Sequence, residues 1–156
     1  MVQIGIDCAR FGDDSTAFAV RVGPNLVYLE ERSGWTTDRI ADHSRLLANQ
    51  YCGVMPPNEV LILVDDTGGY GSGVVDYPAG YRVYGINSSE LAREEDKYPN
   101  VRSELVMLFV LAAEQGCVGF GSGIPSAMLE RLRQELMSIR YGLDSRCRRR
   151  VEAKDE

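Results

Sequence analysis

Three aspartates stand where apolar strands end. Asp7 lies in the run VQIGIDC, and Asp65 with Asp66 closes the run VLILVDD. An ionised carboxylate withdrawn from water needs a cation or hydrogen-bond donors beside it. Placed side by side, two such strands would bring Asp7 and Asp65 together, and two close anions repel unless a divalent cation neutralises them. Mg²⁺ and Mn²⁺ favour ligand sets made of oxygen. The local alternative is that these aspartates accept N–H groups of the turns that follow them, as aspartate at a strand end often does. Asp13 and Asp14 sit in a Gly-Asp-Asp turn, which turn chemistry by itself explains.

Two further stretches carry chemistry. DDTGGYGSGVVD is rich in small residues between Thr67 and Gly73, which permits close backbone approach to an anion or a metal-bound phosphate, or forms an ordinary turn. No Gly-Lys-Ser/Thr follows, so it is not a Walker A loop. At the end of the chain, SRCRRRVEAKDE gathers Arg146, Arg148, Arg149, Arg150 and Lys154 on an otherwise acidic protein. Such a cluster either grips a DNA backbone or forms a solvated hairpin or tail.

The elements that must position these groups follow from periodicity. Val2 to Cys8, Ser15 to Val22 and Leu26 to Arg32 read as strands with short links, the first being the turn FGDD, and so predict an antiparallel meander. Thr37 to Tyr51 predicts a helix with Ile40, His43, Leu47 and Tyr51 on one face. Val60 to Asp66 reads as a strand covered on both faces, followed by a helix-like start at Val74 and a strand over Tyr81 to Ile86. Asn100 is placed to cap a helix through Ala113 whose apolar face holds Val101, Leu105, Leu108, Phe109 and Ala112. Ser126 is placed to cap a last helix with Leu129, Leu132, Leu136 and Ile139 inward. The order βββαβαβαα describes a mixed sheet with helices on its faces.

Composition narrows the function. The 156 residues suffice for one core, and 26% charged residues of both signs fit a globular fold. A net charge of −6 argues against coating nucleic acid by bulk electrostatics, so any contact with DNA must use a local patch. Cys8, Cys52, Cys117 and Cys147 lie far apart without a C-x-x-C pair, which fits a reducing compartment and suggests no zinc site. His43, the single histidine, falls on a helix surface rather than in a catalytic pattern. No apolar run approaches a membrane span and no signal peptide is visible, so a soluble, non-secreted protein is expected.

GIDCARFGDDSTAF, LILVDDTGGYGSGVVD, INSSELAREEDKYPNVRSELV and LRQELMSIRYGLDSRCRRRVEAKDE, in that order and over most of the chain, resemble the C-terminal nuclease domain of the large terminase subunit of tailed bacteriophages. The resemblance implies a ribonuclease H-like α/β fold: a mixed sheet of a three-strand antiparallel meander plus parallel strands, with helices on both faces. It implies a metal-dependent endonuclease that cuts concatemeric double-stranded viral DNA during genome packaging, using two Mg²⁺ or Mn²⁺ ions. The implied partners are double-stranded DNA, the terminase ATPase domain, the small terminase subunit and the portal protein, in the cytoplasm of an infected bacterial host. Carried over by position, Asp7 and Asp65 are the catalytic acids, Asp7 bridging both ions and Asp65 holding one. Asp66 becomes the match when the glycines are aligned, and so is the alternative metal ligand. Asp14 resembles a family acid in the first turn. The arginine-rich end would position the duplex through phosphates without reading sequence.

Two departures accompany the resemblance. The family's third metal-binding aspartate comes on a helix beyond the segment that here ends VEAKDE; Asp155 and Glu156 precede its position. The ATPase motor is not in this chain. Residues 1–156 therefore read as a single nuclease domain cut short before the third acid. Other classes stay open on sequence: a Holliday-junction resolvase of the same fold, a fragment of an actin-like or sugar-kinase-like ATPase, which also begins with a Gly-Ile-Asp strand, and a module that docks DNA without catalysis.

Overall fold

The computed structural model describes residues 1–9, 15–53, 56–76 and 80–152. The FGDD turn with Asp13 and Asp14, and Lys154, Asp155 and Glu156 at the other end, lie outside the described residues. The chain divides into two compact units, Met1–Asn87 with Gly119–Ile124, and Ser88–Val118 with Pro125–Glu156.

In the first unit, β1 (Val2–Asp7), β2 (Ser15–Val22) and β3 (Asn25–Ser33) form the expected antiparallel meander. The helix α1 (Thr37–Cys52) leads through a 3-10 turn at Pro57–Glu59 into β4 (Val60–Asp65), which pairs parallel to β1. A one-turn helix α2 (Ser72–Val75) precedes β5 (Arg82–Ile86), parallel to β4. A two-residue strand β6 (Gly119–Phe120) adds parallel to β3, giving the order β5-β4-β1-β2-β3-β6.

Strand alternation builds the core. Val2, Ile4 and Ile6 of β1, Phe18 and Val20 of β2, and Val60, Ile62 and Val64 of β4 all point to one face, where Ile40, Ala41, Leu47 and Ala48 of α1 cover them. Gln3, Gly5 and Asp7 take the opposite face by the same alternation. The near-continuous apolar run of β4 is explained by Leu61 and Leu63, which are half-buried on that second face.

His43 is more than a residue on a helix surface. Its Nε2 lies 2.8 Å from Glu30 Oε2, and its ring meets Phe18 and Trp35 edge-on with centroids 4.8 and 5.1 Å apart. Glu30 also receives the Arg32 guanidinium and the Tyr28 hydroxyl. Burial by itself would raise the Glu30 carboxyl; the hydrogen bonds from Tyr28 and Arg32, with the charges of Arg32 and His43, outweigh it and hold the group below its ordinary value. This network ties α1 to β3.

The second unit contains α3 (Val101–Glu114), α4 (Ser126–Ser138) and a hairpin of β7 (Tyr141–Leu143) with β8 (Arg149–Val151). Asn100 caps α3 as its sequence position predicts, its Oδ1 accepting the Ser103 N–H at 2.9 Å. Ser126 does not cap α4: it is the first helical residue, after Pro125. The face of α3 that packs is also not the expected one. Leu105, Leu108 and Phe109 are exposed, while Ser103, Glu104 and Met107 are buried. The reason is polar. Glu104 accepts the N–H groups of Arg93 and Glu94, Ser103 Oγ accepts that of Val151, and Met107 packs in a small core with Ala92, Tyr98 and Val151. The hairpin and β6 escape periodicity because their strands are two or three residues long. All four cysteines are free thiols, and among the described residues no helix is long and apolar enough to cross a membrane.

The Glu30 network sets a pH dependence. Because the folded carboxyl titrates below its unfolded value, its contribution to stability is complete above the ordinary glutamate range and is lost as pH falls through the depressed value. Glu30→Gln is expected to lose about 1 to 3 kcal/mol at pH 7, with the difference from wild type shrinking in acid; urea unfolding at a series of pH values measures it.

Candidate metal centre

The register of β1 and β4 makes Asp7 and Asp65 partners across two parallel strands. Neighbouring strands lie about 4.8 Å apart, and register partners in a parallel pair share a face. Both carboxylates therefore stand on the face opposite Ile6 and Val64, at the carboxyl ends of their strands. Asp7 is exposed and Asp65 half-buried. The backbone just beyond Asp7 is held by the buried Thr16, whose Oγ1 accepts the Ala9 N–H at 3.1 Å. Asp65 Oδ1 accepts the Thr67 N–H at 2.9 Å, so the local turn chemistry expected of a strand-end aspartate is present and occupies one of its two oxygens.

Asp66 takes the other side. A Cβ added to Gly85, the register partner of Val64, would come 3.3 Å from Asp66 Cβ and 3.4 Å from Val75 Cγ2. The Asp66 side chain thus lies over β5 on the α2 face, away from the Asp7 and Asp65 pair. Its Oδ1 is buried and has no hydrogen-bond partner among the described residues. A buried carboxylate oxygen in that state calls for a cation or a hydrogen-bond donor.

The three carboxylates act together on Cys8. Burial first, then the charges of Asp7, Asp65 and Asp66, push its thiol up to about 11. A fourth acid, Glu31, escaped the sequence reading. Glu31 pairs with Ala17, and Ala17 with Asp7, so one level of the sheet reads Asp65, Asp7, Ala17, Glu31 along a single face. The alternation in β3 was the signal available. Among the described residues no group of three His, Cys, Asp or Glu side chains is assembled to hold an ion.

The glycine-rich stretch is a structural clasp. Gly68 and Gly69 adopt left-handed backbone at φ +81°, and Gly69 N–H closes a turn onto Asp66 O at 3.0 Å. Ser72 Oγ donates to Gly69 O, and the Val74, Val75 and Asp76 amides all bond within the loop and α2. A Cβ on Gly71 would sit 2.5 Å from Asp65 O and 2.7 Å from Val64 Cγ1, so only glycine lets the loop fold back on the end of β4. The amides named here are spent on the loop itself.

The arginine-rich end forms the β7–β8 hairpin of the second unit, and its members differ in exposure. Arg148 donates to Asp144 through Nε and its own N–H, at 2.8 and 2.9 Å, and to Glu95 O at 3.3 Å; it is half-buried and staples the turn. The Arg148 N–H and guanidinium, with the Arg146 N–H, hold the Asp144 carboxyl below its usual range against the opposing effect of burial. Arg146, Arg149 and Arg150 are exposed, with Arg149 and Arg150 on opposite faces of β8.

No protein-family profile and no curated protein sequence matches the chain. Solved structures do. The nuclease domain of the large terminase subunit gp2 of bacterial virus Sf6, in a mutant form with manganese and beta-thujaplicinol, superposes with a TM-score of 0.74 at 19% identity, covering 97% of this chain and 77% of that one. A mutant form of the same protein with calcium gives 0.74 at 20% identity, over 97% and 77%. The large terminase nuclease of thermophilic phage G20c with bound cobalt gives 0.63 at 19% identity, over 100% and 73%. The chain shares the fold of these nuclease domains, and its mixed sheet is the ribonuclease H-like sheet expected of it.

Substituting Gly71→Ala forces backbone apart at Asp65 and is expected to lower stability by about 1 to 3 kcal/mol, whereas Gly85→Ala, whose nearest neighbour is a side chain, costs less. Comparing the two variants by urea denaturation tests the order.

Proposed function

We propose that this chain is a metal-dependent endonuclease domain that cleaves double-stranded DNA during viral genome packaging. The observation that carries the reading is the register that sets Asp7 beside Asp65 at the strand ends, in a fold shared with terminase nuclease domains. The donor set fits Mg²⁺ or Mn²⁺: the paired groups are carboxylates, and His43 is engaged by Glu30. Mg²⁺ characteristically takes one or two carboxylates and completes its shell with water and substrate phosphate, so a pair of aspartates is a meaningful partial site. Asp66, the alternative ligand, lies on the other face with a buried oxygen that has no partner among the described residues, so Asp65 is the better match to Asp7. Sf6 and G20c nucleases with manganese, calcium or cobalt accord with a divalent site.

Asp7 and Asp65 would hold two ions, which when bound supply Lewis-acid stabilisation of the phosphate and a water of lowered pKa. The protein's own share is geometric. Paired strands fix Asp7 and Asp65, the Thr67 N–H orients one Asp65 oxygen, and the clasp at Gly71 holds the end of β4. Arg146, Arg149 and Arg150, and Lys154 by its sequence position, would contact phosphates of the duplex, with Arg148 shaping the hairpin that presents them. The terminase ATPase domain, the small subunit and the portal are the partners this role requires, in the cytoplasm of an infected host.

Nicking of supercoiled plasmid with Mn²⁺ tests the activity. Wild type is expected to nick, and Asp7→Asn and EDTA to abolish it; cleavage retained in Asp7→Asn removes the mechanism. Titration of a labelled duplex at several salt concentrations tests the hairpin. Arg149→Ala with Arg150→Ala is expected to weaken DNA binding and flatten its salt dependence by roughly 0.9 for each phosphate no longer neutralised. The melting temperature stays unchanged in that variant, whereas Arg148→Ala lowers it.

A further inference from the structure

The link from β3 to α1 carries an arrangement that the carboxylate site does not use. Trp35 lies between the end of β3 and the first turn of α1, with the Arg39 guanidinium 5.2 Å and the Arg32 guanidinium 5.6 Å from its ring centroid. The indole is itself fixed from behind by Phe18 and His43. Arg32 is also paired with Glu30. Arg39 is exposed, and among the described residues its guanidinium enters no ion pair. The neighbouring Asp38 carboxyl is turned to the Thr36 hydroxyl and the first amides of α1, and is held below its usual range by them and, as the smallest cause, by the Arg39 charge.

This cluster stands at the same end of the sheet as the carboxylates. β1 and β3 run in the same direction, each antiparallel to β2, so Arg32 and Ser33 end β3 where Asp7 ends β1. A chain of close approaches leads across as well: a Cβ on Gly73 would lie 2.8 Å from Thr37 Cγ2, and Gly71, two residues before it, rests on Asp65 O. Open α/β sheets bind ligands at the carboxyl ends of their strands.

We propose that Arg39, held over the Trp35 ring, is a positioning residue for the phosphodiester backbone of double-stranded DNA as the duplex crosses this end of the sheet. A guanidinium held over an aromatic ring by a cation–π contact still carries donors for bidentate contact with phosphate and loses less freedom on binding, which a lysine at the same place cannot match. Asp65, Asp7 and Glu31 occupy the other face at this end of the sheet and by themselves would repel a duplex, so a cation at the same end, on the α1 face, supplies the attraction they lack. The inference rests on the nuclease reading and adds a DNA contact within the first unit.

Fluorescence anisotropy of a labelled duplex across a salt series tests it in the Asp7→Asn background, so that nothing is cut. Arg39→Gln is expected to bind several-fold more weakly, with the salt slope reduced by roughly 0.9, at an unchanged melting temperature. Arg39→Lys is expected to restore the slope but not the full affinity. Parent-like affinity and slope in Arg39→Gln overturn this inference and leave the nuclease reading intact, while a parent that binds no duplex at any salt overturns both.

Discussion

Two aspartates held in register on adjacent parallel strands are kept at one spacing, and the arrangement of the first unit follows from how that spacing is fixed. The pairing of β1 with β4 runs unbroken from Val2 and Val60 to Asp7 and Asp65, so the carboxylates cannot drift apart without breaking a ladder whose other face is the main core. The apolar residues that alternate with them, Ile6 and Val64, anchor that ladder under α1. Stability stored in burial on one face therefore fixes the spacing of two acids on the other.

Around the pair, small side chains make the space. Ala17 separates Asp7 from Glu31, Gly71 lets backbone touch backbone at the end of β4, and Gly85 makes room for Asp66. At Gly71 a larger residue would press on the Asp65 backbone, and at Gly85 on the Asp66 side chain. The same economy explains the glycine-rich loop, which folds back on the end of β4.

Much of this was legible in the residues. Period-two alternation placed β1 to β5 within a residue or two, and it put Asp7 and Asp65 at strand ends before any pairing was known. What alternation does not carry is register, and register is what distinguishes Asp65 from Asp66 as the neighbour of Asp7. Helix periodicity failed differently in α3, where the apolar stripe of Leu105, Leu108 and Phe109 was legible but the packed face is set by Glu104 and Ser103, polar residues answering amides distant in sequence. Arg148 reads as one of a basic run, yet its partner Asp144 and the carbonyl of Glu95 make it part of the frame.

The path of the chain between its two units has a mechanical meaning. It leaves the first unit after Asn87, returns at Gly119 to lay β6 along β3, and leaves again after Ile124. Three covalent crossings thus span the boundary, so a protease that severs one of them frees neither unit. A genetic dissection that ends the chain before Gly119 would likewise remove the strip that closes the β3 edge, leaving a raw sheet margin open to pairing with other chains.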